Sequence, residues 1–364
     1  MKLALLGDIA FLGSFSIKNN PQVLQNLEPI VQYLQNFDLV VGNLETPFSI
    51  KKIPWGAKSS YIYADIENIE VLKALGVSAV SIANNHMFDY GKEGFNTTIN
   101  LLAQVGIEWF GANDKAFKID IGNNKLTFEG FCCYSTNPQK ISEGKSTVGI
   151  NRFNVQEIQE ILKRNQKDGR LSILSIHSGI EHVNRPSLDQ IYVSRLFGDI
   201  SPYVWYGHHP HVVQGIDVYE KSVIAHSLGN FCFAGNKYDK NRPIVELSEN
   251  NRKGMILELE IDSNKVVEFK TTPIYIGNDG IISININDNS IKTYSSYIDQ
   301  AISSPKEYSE ERMNQRMVYL AERKEMRNLL WVIKRLRPRY FKLYFDNKRN
   351  IRAYKKNVKD FLKS

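Results

Sequence analysis

Three observations predict an α/β fold for this sequence. Over the first two-thirds, short apolar runs alternate with stretches of helical periodicity, which is the pattern of βαβ layering. Polar residues able to bind metal fall at the carboxyl ends of those runs, where α/β sheets place their ligands. All seven histidines lie between His86 and His226.

The strand-like runs are Lys2–Leu6, Asp38–Val41, Val77–Ile82, Leu171–Ile176, Tyr203–Tyr206 and Val223–His226. Helical patterns fill the intervals. Pro21 to Asn36 has Asn20 as its cap, and Asp65 to Leu75 and Gly94 to Val105 follow. Asn154 to Gln166 starts with the capping pair Asn154 and Glu157, and Ser187 to Phe197 repeats the pattern. A hairpin, Ala116–Ile121 and Leu126–Phe131 around Gly122-Asn123-Asn124, interrupts the alternation. From Lys253 the texture becomes alternating β, and after about Ser303 it is helical and charged. The expected organisation is one large domain over 1–300 and a basic helical extension over 301–364.

Composition narrows the class. With 364 residues, 42% hydrophobic and 23% charged, the chain can bury a large core. Lys2 is followed by four apolar residues, Leu3 to Leu6, before Gly7 and Asp8, which is too short for a signal or spanning segment. A cytoplasmic protein is therefore expected. Cys132, Cys133 and Cys232 form neither a disulfide framework nor a metal spacing, and read as small buried residues. The net charge of +7 is unevenly spread: residues 326–364 carry +11 and the remainder −4.

The strand ends carry the chemistry. They present Asp8, then Asn43 and Glu45, then Asn84, Asn85 and His86, then His177, then His208, His209 and His211. Two hard divalent ions roughly 3.5–4 Å apart need a bridging carboxylate, imidazoles and an amide oxygen. Alone, Asp8 reads equally as a turn or cap residue after Gly7, taken to permit a tight turn, and Glu45 as an exposed loop glutamate. Asn85 can ligate through its amide oxygen while His86 projects elsewhere as a proton donor, held and polarised by Asp89 three residues on. In His209-Pro210-His211 an extended backbone fixed by proline would send both imidazoles to one side. His182 and His226 read as structural or as outer support.

These motifs carry a resemblance. Gly7-Asp8, Gly42-Asn43-Leu44-Glu45, Ala83-Asn84-Asn85-His86 with Asp89 and Gly91, His177-Ser178-Gly179-Ile180-Glu181, Gly207-His208-His209-Pro210-His211 and Ser227-Leu228-Gly229-Asn230-Phe231 together resemble the CapA family. That family comprises capsule and poly-γ-glutamate synthesis proteins and is related to the calcineurin-like metallophosphoesterases. The resemblance implies a four-layer α/β/β/α sandwich with two divalent metal ions, of Mn, Zn, Fe or Mg type. It implies Asp8 and His211 as ligands of one metal, Glu45 as the bridge, and Asn85, His177 and His209 as ligands of the other. His86 resembles the histidine that assists the leaving group. Asn43, Asn84, Glu181, His208 and Asn230 then contact substrate or support the ligands. Ala10 stands where phosphoesterases carry a second histidine, and Glu45 where they use aspartate.

The expected function is metal-dependent hydrolysis of a phosphoester or of an anionic polymer in capsule synthesis. The alternative is a non-catalytic accessory protein that holds such a polymer, or a lipid-linked intermediate, for a synthase. His86 with Asp89 favours catalysis, because a mere binding site needs no positioned proton donor. The tail interleaves bases with Trp331, Tyr340, Phe341, Tyr344 and Phe345 and is interrupted by Pro338. It suits either contact with an anionic membrane or packing on the body. No nucleic-acid-binding module is recognisable.

Overall fold

A computed structural model describes residues 1–364 apart from 57, 59, 134, 135, 137–139, 144, 145, 240, 241, 246, 326–337, 363 and 364. Two sheets face one another. The first contains β1 (Lys2–Ile9), β2 (Leu39–Leu44), β3 (Ala79–Ser81) and β4 (Glu108–Phe110), all parallel. The second contains β5 (Phe117–Ile121), β6 (Asn124–Cys132), β7 (Leu171–His177), β8 (Tyr203–His208), β9 (Ile216–Tyr219) and β10 (Ser222–Ala225), of which β6, β7, β8 and β10 run parallel. The chain then returns to the first sheet. There β11 (Asn230–Cys232) pairs parallel with β1, and β12 (Lys253–Asp262), β13 (Lys265–Ile276) and β14 (Ile282–Ile284) add antiparallel strands.

The layers follow from side-chain alternation. In β1, Ala4 and Leu6 point to the helices α1 (Val23–Asn26), α2 (Glu28–Leu34), α3 (Ile69–Ala74) and α4 (Gly91–Gln104), while Leu3 and Leu5 point to the second sheet. In β8, Val204 and Tyr206 face the first sheet. Tyr203 and Trp205 face α5 (Val155–Lys167) and α6 (Leu188–Gly198). Strands buried on both faces read as continuous apolar runs, which is why they were legible. The result is the expected α/β/β/α sandwich.

Helices α7 (Ser290–Ser303) and α8 (Pro305–Glu325) lie over α6 and the loop after β7, with the buried Tyr308 hydroxyl donating to Pro186 O at 2.7 Å. Helix α9 (Pro338–Phe361) packs Tyr354, Val358 and Phe361 against the α5–α6 layer. It begins at Pro338, where a missing N–H costs nothing. The tail positions Leu329, Leu330, Trp331, Ile333, Lys334, Arg335, Leu336 and Arg337 lie outside the described residues.

Three local expectations are corrected. The helix expected over Pro21 to Asn36 is two helices, α1 and α2, and Pro29 in the first turn of α2 cannot donate the N–H that would join them. Asn20 makes a local turn instead of a cap, with its Oδ1 accepting from Gln22 N at 3.2 Å. Gly7 lies inside β1 and makes no turn. A Cβ there would stand 2.2 Å from Gly229 O, so glycine is required by the close approach of the backbone leading into β11.

Candidate metal centre

The parallel strands of both sheets end at one place. Asp8, next to the last residue of β1, lies opposite Asn43 on β2 and Asn230 on β11, and His177 lies opposite His208 across β7 and β8. Neighbouring strand ends thus converge polar groups that are scattered over more than 200 positions of sequence.

Asp8, Glu45 and His211 each bring one ligand atom to within 4.8 Å of the others. His211 Nδ1 is 3.3 Å from Asp8 Oδ2 and its Nε2 is 3.7 Å from Glu45 Oε1. His177 Nε2 reaches Glu45 Oε1 at 3.8 Å and Asn85 Oδ1 at 2.8 Å. The His209 ring lies 4.9 Å from that of His177. Around them, Asn43 Nδ2 donates to Asp8 Oδ1 at 2.8 Å, and His208 Nδ1 lies 3.1 Å from the same oxygen. Asn84 accepts the N–H groups of His86 and Met87, and so closes the turn that presents Asn85 and His86. Asn230 Oδ1 is 3.0 Å from His211 Nδ1. Glu181 accepts from Tyr319 Oη at 2.7 Å, and its charge acts on Glu45, His209 and His211.

The backbone of the histidine motif differs from expectation. His209 and His211 have φ of 95° and 56°, so the segment is a sharp double bend and not an extended run. Such conformations cost about 1–3 kcal/mol each for residues other than glycine. Contacts at both residues hold them. His209 N donates to Asp8 Oδ2 at 3.3 Å, and His211 O accepts from Asn251 Nδ2 at 2.8 Å.

Burial and mutual contact set the charge state of the cluster. Glu45 is fully buried and neither of its oxygens has a hydrogen-bond partner among the described residues. Burial pushes its carboxyl up to about 8, against the attraction of His211. Burial would also raise Asp8, but the His208 and His211 imidazoles at 3.1 and 3.3 Å hold it well below the ordinary range. Burial opposes a charge on His211, yet Glu45 and Asp8 raise it to about 10. Burial keeps His177 well below its usual value and His209 at about 4, which leaves both as neutral imidazoles, the form that ligates metal. His177 Nδ1 and His209 Nδ1 have no hydrogen-bond partner among the described residues. Asp8, Glu45, the neutral imidazoles of His177 and His209 and the Asn85 amide oxygen form a donor set that a divalent ion fits, and His211 would join it by giving up its proton as the ion enters.

Beside this cluster, His86 Nδ1 is 2.7 Å from Asp89 Oδ2. Sequence reading missed the third member, Lys58. Its Nζ is 2.6 Å from Asp89 Oδ1 and 3.3 Å from His86 Nδ1, and it also donates to Asn85 O. Burial pushes Asp89 up, but Lys58 and His86 outweigh it and hold the carboxyl low. Burial and Lys58 together lower His86. Lys58 is placed by its loop, in which Trp55 packs on Gly91 and its N–H donates to Asp89 O at 2.8 Å. No local motif marks it. Outside the centre, His182 stacks on Tyr319, and His226 is buried against Trp205.

Comparison with known proteins finds a family and several similar chains. A family model described as "Bacterial capsule synthesis protein PGA_cap" matches residues 2–235. The chain is 28% identical over 212 residues to a capsule biosynthesis protein, CapA, of Bacillus anthracis, covering 55% of this chain and 52% of that one. It is 26% identical over 287 residues to a PGA biosynthesis protein, CapA, of Bacillus subtilis, covering 76% and 72%. The chain thus spans about half the length of the first of these relatives. Among solved structures, a 5′-nucleotidase precursor of Thermus thermophilus aligns at 12% identity with a TM-score of 0.45, covering 86% of this chain and 59% of its own.

Proposed function

The chain belongs to the bacterial capsule synthesis family, and on that premise we propose that it is a divalent-metal-dependent hydrolase acting on a phosphoester or an anionic polymer during capsule synthesis. The carrying observation is the buried convergence of Asp8, Glu45 and His211 within 4.8 Å. Asp8 and His211 would hold one ion, Asn85, His177 and His209 a second, and Glu45 would stand between them. Bound ions would polarise a phosphoryl or carbonyl oxygen and stabilise negative charge developing there.

The chain's own residues would do the rest. Asp89 fixes Nδ1 of His86, which leaves Nε2 to carry a proton to or from the reacting group. Lys58 keeps Asp89 ionised and the ring in place. Asn230 and Asn251 hold the strained His211 segment in its ligating pose. The relatives' names, capsule biosynthesis and PGA biosynthesis, support an anionic polymer as the substrate class.

The test is elemental analysis of protein purified without chelator, paired with turnover of bis(p-nitrophenyl) phosphate. Divalent metal at one to two equivalents, with turnover abolished by chelation and restored by metal, is expected. Metal-free protein that gains neither metal nor activity on reconstitution overturns the reading.

A further inference from the structure

Helix α9 has two faces of different character. Tyr354, Val358 and Phe361 turn inward, with the Tyr354 ring 6.2 Å from Phe153 and the Phe361 ring 6.1 Å from Phe197. Asn357 Oδ1 accepts the Val155 N–H at 3.1 Å and so ties the helix to the start of α5. The helix is therefore docked on the body, and docking fixes which side chains face outward.

That outward face opens with Phe341, Tyr344 and Phe345, which are 54%, 54% and 65% exposed. It continues with Lys348, Arg352, Lys355 and Lys359, all exposed. Over its whole length α9 carries eight bases against two acids, Asp346 and Asp360. Among the described residues, Arg349 pairs with Asp346 at 3.1 Å and Lys348 lies over the Tyr344 ring at 4.5 Å, which joins the aromatic and basic parts of this face. Three adjacent aromatics kept in water on a rigid helix mark a surface that something covers.

We propose that this face of α9 docks on an anionic lipid surface, with the aromatics at the headgroup boundary and the bases along the headgroups. Phe341 and Phe345 would bury apolar rings there while the Tyr344 hydroxyl stays among the headgroups, and bases near the boundary are drawn to negative lipid. Charge selects this occupant over a second copy of the chain, which would bring the same surplus of positive charge to the contact. A soluble polyanion would match the bases but leave the aromatics uncovered. Among the described residues no helix is long and apolar enough to cross a membrane.

The experiment is co-sedimentation of the full chain with phosphatidylcholine vesicles that contain or lack about one-third phosphatidylglycerol. Binding to the anionic vesicles alone, weakened by salt, is expected. Lys348→Glu with Arg352→Glu should weaken it at least about 25-fold, roughly fivefold for each base lost. Phe341→Ser with Phe345→Ser should weaken it about tenfold or more without altering the thermal melt, because both side chains are exposed. Equal binding to neutral vesicles, or no binding, overturns the proposal. So does binding to soluble polyglutamate that depends on the bases but ignores Phe341 and Phe345. A change in oligomeric state in the phenylalanine variant without vesicle binding assigns the face to a second copy and also overturns it.

Discussion

Lys58 and His86 share one buried acid: Lys58 Nζ is 2.6 Å from Asp89 Oδ1, and His86 Nδ1 is 2.7 Å from Asp89 Oδ2. The loop carrying Lys58 is thereby coupled to the ring proposed to move a proton. His86→Ala should keep its metal but lose about 10²–10⁴-fold in turnover. Lys58→Met, which loosens the ring without removing it, should lose about 10–100-fold. Parallel metal analysis and phosphodiester turnover check both. Undiminished turnover in His86→Ala would remove the proton-transfer role from His86 and with it the part given to Asp89 and Lys58.

The histidine motif should decide metal retention. His209→Ala or His211→Ala should each lose at least one ion, with a penalty well beyond the 10–100-fold of supporting residues. Asn251→Ala, which removes the shorter of the two amide donors to His211 O and leaves Asn230 Nδ2 at 3.4 Å, should weaken metal binding within that smaller range. Titration with a chelating indicator dye reads all three. Full stoichiometry in the His209→Ala, His211→Ala double variant contradicts the assignment.

Gly7 should not tolerate a side chain. A Cβ at this position meets Gly229 O at 2.2 Å, a backbone atom that cannot step aside without moving β11. Gly7→Ala should cost about 1–3 kcal/mol and displace Asp8, the next residue. Thermal unfolding and metal content should fall together. Retention of both shows that the strands can separate more easily than the packing implies.

A stability test away from the metal centre concerns Glu129. Burial raises its carboxyl to about 7, with Arg164 at 3.2 Å opposing. A folded state that holds a proton more tightly than the unfolded chain loses stability as pH rises between the two values. Stability should therefore fall from about pH 4.5 to about pH 7 through this group. Glu129→Gln should flatten that part of the curve. Melting temperatures across the range are the measurement, and an unchanged slope refutes the cause.

How much of this was written in the sequence depends on how local the signal was. The strands β1, β2, β7, β8 and β10 were visible because each is buried on both faces over most of its length, which demands apolar residues at most positions. The capping residues Asn154 and Ser187 were visible because a helix start needs an acceptor within three residues, and both side chains supply it. Asp8, Glu45, Asn85, His177 and His211 were visible as candidates because strand ends are where α/β sheets gather ligands.

Only the tertiary structure decided the rest. Lys58 enters the centre because a loop folds Trp55 onto Gly91, a contact with no sequence period. Gly7 is needed for the approach of a strand more than 200 residues away, whereas the sequence offered only a local turn as its reason. The left-handed bends at His209 and His211 are held by Asp8 and Asn251, and without those distant partners an extended backbone would be the cheaper choice. Residue type and local period are properties of neighbours in sequence. Close approach, burial and strain are properties of neighbours in space, and they exist only once the two sheets have met.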